Sequence, residues 1–220
     1  LFCLKKNVNI EPLKKYNLFK GKEFGSFSKK MDVVRERKKT IRKEILTLLR
    51  NQKEDDWLRK SERIKTVFFQ DPDVQNSKTV LFYASFQGEV DTFGLMRDAI
   101  KTGKQIALPV VDVQNKEIIP KRVTSLEDDL TYGPYHIQQP HEKNTREIAL
   151  PEIDVVVVPG VAFDRRGFRL GRGAGYYDRF LKNFPQGIPL IGLAFDFQIL
   201  DSLPLEPHDL SVTRVVTNSG

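Results

Sequence analysis

From residue 32 to residue 217 the chain alternates amphipathic stretches of helical length with short apolar runs of strand length, which restricts it to the α/β class. Residues 32–51 place Val33, Val34, Ile41, Ile45, Leu48 and Leu49 at mostly three-, four- and seven-residue spacings among Lys, Arg and Glu, predicting an amphipathic helix. A second helix is expected over 54–70, carrying Trp57, Leu58, Ile64, Val67 and Phe68, and the Asp71-Pro72 step should stop it. TVLFYASF (79–86) reads as a buried strand, DTFGLMRDAIKTG (91–103) as a helix with an Asp cap and a glycine stop, and QIALPVV (105–111) as the next strand. Together they form a β-α-β unit. KEIIPKRV (116–123) looks like a further strand, SLEDDL (125–130) like a short helical turn, and TYGPYHIQQP (131–140) like an irregular loop. IDVVVV (153–158), a glycine-rich loop, a helix over 175–183, LIGLAF (190–195) and SVTRVVT (211–217) complete the alternation. The expected architecture is a single three-layer α/β/α domain with a Rossmann-like, mostly parallel sheet and helices on both faces. Ligands of such a domain gather at the carboxyl ends of the strands.

The loop after IDVVVV carries the strongest chemical signal. Gly171, Gly173 and Gly175 alternate with Arg172 and Ala174, Arg165, Arg166 and Arg169 precede them, and Tyr176-Tyr177-Asp178-Arg179 follows. Glycine lets backbone N–H groups turn inward, and the arginines add charge where phosphate oxygens would sit. A dinucleotide fingerprint fails, because the third glycine comes one residue early and the apolar run ends a dozen residues before the loop. A P-loop fails too, since no lysine followed by Ser or Thr closes it. A tight glycine turn from strand to helix is the plainer alternative; against it stand the four arginines and a helix start near Gly175, whose dipole attracts anions.

Charge points less far than it first suggests. The chain carries +7, with a pI near 9.4, which taken alone would imply a polyanionic partner. Residues 1–30 hold eight lysines against Glu11 and Glu23, so that segment accounts for +6 and the other 190 residues for +1. Nucleic-acid binding by a basic surface thereby loses most of its compositional support, a local patch aside. The same thirty residues lack clear periodicity and arginine, and are followed by Met31. They read as a disordered extension ahead of a domain spanning 31–220, in a cytoplasmic protein. A transit peptide, which would place the protein in the mitochondrion, ordinarily favours arginine. Cys3 is the only cysteine, so no disulfide forms within the chain, and no apolar run of eighteen residues exists to span a membrane.

The sequence PGVAFD (159–164) followed by RLGRGAGYYDR (169–179) resembles the signature of the 5-formyltetrahydrofolate cyclo-ligases, also called methenyltetrahydrofolate synthetases. Lys38-Lys39-Thr40-Ile41-Arg42 is similar to that family's basic helix motif, Glu89-Val90-Asp91-Thr92 to its substrate-side segment, and Glu206-Pro207-His208-Asp209 to its acidic C-terminal motif. The resemblance covers residues 31–217 and implies an ATP- and Mg-dependent ligase of folate one-carbon metabolism. Such an enzyme converts 5-formyltetrahydrofolate to 5,10-methenyltetrahydrofolate with release of ADP and phosphate.

Carried over position by position, the resemblance implies that Lys38, Lys39, Thr40, Ile41 and Arg42 meet ATP from the first helix. Arg169, Leu170, Gly171, Arg172, Gly173, Ala174, Gly175, Tyr176 and Tyr177 would wrap its phosphates. Ala84, Glu89 and Tyr135 would join residues 172–176 around the folate. Arg172 and Tyr176 would be the catalytic side chains, Arg172 gripping two phosphate oxygens through its planar fork. Asp178 and Asp209 would hold Mg, with Asp164 or Asp196 as alternatives. His136, His141 and His208 show no metal-ligand spacing, and His208 receives no chemistry. Ala174 departs from the commoner family pattern of glycine or lysine, which implies ordinary backbone there and the loss of any lysine contact. A small-molecule enzyme acting as a monomer is expected, with no nucleic-acid or membrane partner. A binding module that has lost turnover and an RNA-binding protein are the rival readings.

Overall fold

The structure is a computed structural model that describes residues 27–143 and 145–220. Most of the expected extension, with Cys3, lies outside the described residues. Helix α1 (Phe27–Arg50) buries Ile41, Ile45 and Leu49, a stripe of one residue every fourth position, while Val33 and Leu48 from the predicted apolar set remain exposed. Helix α2 (Glu54–Gln70) opens on Glu54, Asp55 and Asp56, acids that complement the positive end of its dipole, and buries Ile64 and Phe68. It ends where expected, at Asp71 in the extended conformation that a following proline enforces. The Asp71 carboxylate then accepts from the Asp73 and Val74 amides at 2.9 and 3.3 Å, starting a one-turn helix, α3 (Pro72–Asn76), that periodicity alone did not reveal.

Strand β1 (Thr79–Leu81) is shorter than the apolar run predicts. Beyond it the chain leaves the ladder, because Thr92 Oγ1 donates to Tyr83 O at 2.6 Å and accepts from Ser85 N at 3.0 Å. Asp91 caps helix α4 (Thr92–Lys101) by accepting from Gly94 N at 3.1 Å, and α4 returns the chain to β2 (Gln105–Asp112), parallel to β1. Strand β3 (Glu117–Val123) pairs antiparallel with β2. Residues 125–130 form turns around Asp129, whose Oδ2 accepts from Thr124 N, Thr124 Oγ1 and Ser125 N at 2.7, 2.8 and 3.0 Å. The expected irregular loop is a hairpin of β4 (Leu130–Tyr132) and β5 (Gln138–Pro140) with consecutive left-handed residues, Tyr135 and His136, at its tip.

Strand β6 (Val155–Val158) pairs parallel with the other side of β1, and is followed by β7 (Ala162–Asp164), β8 (Arg169–Leu170) and the short helix α5 (Tyr176–Phe180). Strands β9 (Leu190–Ala194), β10 (Ile199–Leu200) and β11 (Arg214–Thr217) complete the fold. The main sheet runs β11-β9-β6-β1-β2-β3, parallel except for β3. A second sheet, β10-β7-β8, has no counterpart in the sequence prediction. Four consecutive valines in β6 show why the centre is buried on both faces. Val155 and Val157 join a core with Ile45, Ile64 and Leu95 of the long helices, whereas Val156 and Val158 join another with Phe163, Phe180 and Leu181. The mostly parallel sheet flanked by helices is as expected, but among the described residues the second face carries the short α5 as its one α-helix. From β1 the chain winds outward through β2 and β3, then restarts at β6 and winds the other way. The crevice between the carboxyl ends of β1 and β6 is therefore the topological switch point, where such sheets bind ligands.

Candidate active site

A cavity of about 530 Å³ opens at that switch point. Its floor is the chain leaving β1, with Tyr83, Ala84 and Phe86, and the chain leaving β6, with Pro159, Gly160 and Val161. One end is apolar. Val111 from β2, Ile118 from β3, Tyr135 and Ile137 from the hairpin, and Phe86 line it. The other end is charged, built from Lys38 and Arg42 of α1, Arg169, Asp178, and the C-terminal Glu206, His208 and Asp209. Residues 171–175 line the same cavity, so the glycine loop borders both kinds of surface.

Lys38 and Arg42 are held by partners from distant parts of the chain, and Arg169 by one nine residues on. Lys38, almost wholly buried, donates to Glu206 Oε2 at 2.9 Å and Asp209 Oδ2 at 2.7 Å. Arg42 donates from Nε to Gly171 O at 2.8 Å, tying α1 to the glycine loop; burial lowers its pKa and Asp209 and Glu206 oppose that. Arg169 donates to Asp178 Oδ1 at 2.7 Å and lies over the Tyr177 ring, with burial again lowering its pKa against the pull of Asp178 and Asp209. Glu206, His208 and Asp209 each offer a ligand atom within 4.8 Å of one another, a donor set able to join a cation. Glu206 was missed as a site residue, as was the place of His208 beside it. The signal was available: a buried lysine demands carboxylate partners, and the acidic motif supplies them.

The glycine loop owes its shape to two left-handed residues, Gly173 with φ of 113° and Gly175 with φ of 68°. Ala174 between them keeps an ordinary backbone, as expected, and its carbonyl accepts from Arg179 Nη2 at 3.2 Å. Helix α5 has only five residues, so the anion attraction expected of its dipole reduces to that of a single turn.

At the apolar end the key carboxylate is Glu89. The turn before it uses Gln87 and Gly88 in left-handed conformations, and a Cβ on Gly88 would lie 2.1 Å from Leu49 O at the end of α1. Trp57 Nε1 donates to Glu89 O at 2.7 Å, fixing the backbone from α2. Glu89 Oε2 accepts from Phe86 N at 3.1 Å, and Oε1 accepts from Arg172 Nε and Nη2 at 3.2 and 2.7 Å. Burial pushes the Glu89 carboxyl above the usual carboxylate range, and Arg172 only partly offsets it. Burial likewise raises the phenols of Tyr83 and Tyr177. Tyr176 lies under Arg179, 5.4 Å from its guanidinium, and its hydroxyl interacts with that of Tyr135.

Of the positions singled out in the sequence, Lys38, Arg42, Ala84, Glu89, Tyr135, residues 169–178 and Asp209 all line this cavity. Three do not. Ile41 is packed in the core, Lys39 points to solvent beside Glu36, and Thr40 Oγ1 donates to Glu36 O at 3.1 Å along its own helix. Helical geometry is the reason, since only every third or fourth residue of a basic run faces the same way. Asp164 and Asp196 are also elsewhere. Asp164 accepts from Arg166 and Phe168 amides in its own loop, and Asp196 accepts from Asn218 and Ser219. Arg172, expected over phosphates, instead reaches toward Glu89 and lies 5.4 Å from the Phe86 ring centre.

Residues 34–218 match the model of the 5-formyltetrahydrofolate cyclo-ligase family. This chain belongs to that family. It is 34% identical to the mouse 5-formyltetrahydrofolate cyclo-ligase, an alignment covering 81% of this chain and 92% of the relative. It is 31% identical to the Arabidopsis thaliana relative named as mitochondrial, over 90% of this chain and 77% of that one. Among solved structures, the 5,10-methenyltetrahydrofolate synthetase of Aquifex aeolicus superposes with a TM-score of 0.73 at 35% identity, covering 83% of this chain and 90% of that one. The protein is thus a ligase enzyme with a mostly parallel α/β fold. No helix among the described residues is long and apolar enough to cross a membrane.

Proposed function

We propose that the protein converts 5-formyltetrahydrofolate and ATP to 5,10-methenyltetrahydrofolate, ADP and phosphate in a Mg-dependent reaction. One observation carries this reading: a single cavity joins an apolar, carboxylate-bearing end to an end where Lys38, Arg42 and Arg169 gather with their carboxylate partners, across one glycine loop. A flat pterin fits the first and a triphosphate the second. The formyl oxygen then meets the γ-phosphorus near the loop. That oxygen attacks phosphorus, ADP leaves, N10 closes onto the activated carbon with loss of its proton, and the oxygen departs within phosphate.

The protein's part is positioning and charge balance, as in other phosphoryl transfers. Arg42 and Lys38 bring positive charge to the phosphates, with backbone N–H groups of residues 171–175 around them. Tyr176 stands where the two substrates adjoin, and Glu89 accepts from the pterin's N–H edge while Tyr135 covers the ring. Asp178 and Asp209 would hold Mg, and their hard oxygens suit it; Asp178 commits Oδ1 to Arg169, and Asp209 commits Oδ2 to Lys38. Bound Mg would neutralise phosphoryl oxygens and template the triphosphate. The enzyme acts as a monomer on small molecules in the cytoplasm.

Purified protein incubated with 5-formyltetrahydrofolate, ATP and Mg should form the methenyl product, followed by its absorbance. Leaving out ATP or Mg should each abolish it. Product formed equally without ATP, or no product from the complete mixture, overturns the proposal.

A further inference from the structure

The Arg172–Glu89 contact joins two parts of the cavity that the proposed reaction assigns to different substrates. Arg172 belongs to the glycine loop, yet its guanidinium is spent on the carboxylate at the apolar end. Both Glu89 oxygens are engaged, Oε2 by the Phe86 amide and Oε1 by Arg172. A ligand that hydrogen-bonds Glu89 through paired N–H donors must therefore replace Arg172. The exchange needs donors, because a carboxylate this buried is costly to leave without a partner. An amino group next to a ring N–H, as on a pterin, supplies them; a purely apolar ring does not.

The displaced guanidinium has somewhere to go. Its side chain is 37% exposed, and it is flanked by Gly171 and by Gly173 with φ of 113°, so the backbone around it is not fixed by side-chain packing. The other cations around the loop are held within their own end or by the loop itself. Lys38 is on Glu206 and Asp209, Arg42 on Gly171 O, Arg169 on Asp178, and Arg179 on Lys116 O and Ala174 O. Arg172 alone among these reaches into the other substrate's pocket.

We propose that the Arg172–Glu89 pair is an exchangeable strap that couples the two substrates: folate takes Glu89, and the released Arg172 turns to the triphosphate. This rests on the function proposed above and adds a direction to it. Folate and nucleotide bind with positive cooperativity, and by linkage the effect is reciprocal.

The test is calorimetric titration of the non-hydrolysable analogue adenylyl imidodiphosphate with Mg, with and without saturating 5-formyltetrahydrofolate, so that no turnover intervenes. Wild-type protein should bind the analogue about tenfold more tightly when folate is present, within the range usual for coupled sites. Arg172→Ala should bring that ratio close to one. Glu89→Gln is the sharper arm. With the charge that holds Arg172 removed, the folate-free variant should bind the analogue several-fold more tightly than folate-free wild type, although the mutation lies in the folate pocket.

Equal or weaker analogue binding by Glu89→Gln, or full coupling retained in Arg172→Ala, overturns the strap. A merely structural strap would lower the melting temperature and leave both ratios unchanged, which also overturns it. Arg172→Gln, closer to arginine in length, serves if the alanine variant fails to fold. Turnover by wild type with a coupling ratio of one would sink the strap and leave the proposed reaction standing. Failure of wild type to bind either substrate would instead sink the proposed reaction.

Discussion

The two ends of the cavity solve the problem of buried charge in opposite ways. At the cation-rich end every buried ion has an opposite number close by: Lys38 faces two carboxylates, and Arg169 faces Asp178. At the apolar end a single carboxylate, Glu89, sits against Phe86 and Tyr83 with one half-exposed arginine as its counterion. Balanced ion clusters hold their geometry before ligands arrive, which suits a site whose work is positioning. A lone buried carboxylate is poised to exchange its partner. The cation-rich end therefore looks preformed, and the apolar end is where binding rearranges contacts.

The largest effect should come from unbalancing the preformed end. Arg169→Met keeps much of the side-chain volume but leaves the partly exposed Asp178 without its cation, and breaking such a pair from one side should lower stability by about 3 kcal/mol. Urea unfolding measures it. A loss below about 1 kcal/mol, the range of surface ion pairs, would mean that the cation-rich end is not held by its ion pairs, and the contrast between the ends would collapse.

The apolar end should show a trade instead of a loss. Tyr135 occupies a left-handed conformation, φ 64°, at the exposed tip of the β4–β5 hairpin, and glycine adopts that conformation without strain. Tyr135→Gly should leave stability unchanged or raise it by about 1 kcal/mol, while KM for the folate rises several-fold through loss of the covering ring. Strain tolerated at a functional position is the physical content of this prediction. A fall in stability with unchanged KM would reassign Tyr135 to the hairpin's own packing.

The same contrast explains what could be read from the sequence. The cation-rich end is written in compact segments, and charge next to glycine or proline is legible without coordinates. The bounds of α2 followed from its periodicity and the Asp71-Pro72 step. Ile41 was doubly marked, as part of the apolar stripe with Ile45 and Leu49 and as part of a basic motif; helix geometry lets it serve only the stripe. The apolar end is assembled from single residues on β2, β3, the hairpin and the turn before Glu89, and no local pattern joins them. The second sheet was hidden for a related reason. Its strands have two or three residues, too few for alternation to register. Nor could spacing reveal that Arg172 crosses to a carboxylate 83 positions earlier, since a long side chain's direction is set by tertiary neighbours.

The smallest effect is the one that discriminates most finely between the two ends, and it lies in the pH dependence of stability. Burial raises the Glu89 carboxyl above its ordinary range, and Arg172 does not fully reverse this. An acid whose folded pKa exceeds its unfolded value binds its proton more tightly in the native state. The stability it contributes is complete below the unfolded pKa and is lost as pH rises through the folded one. Glutamine at this position cannot titrate. The stability difference between wild type and Glu89→Gln, from urea unfolding at a series of pH values, should therefore drift in favour of glutamine as pH rises across the carboxylate range. Drift in the other direction would mean that Arg172 holds the carboxyl below its ordinary range. Glu89 would then be as fully balanced as Asp178 and Asp209, and the apolar end would be a second preformed ion site, with no carboxylate ready for exchange.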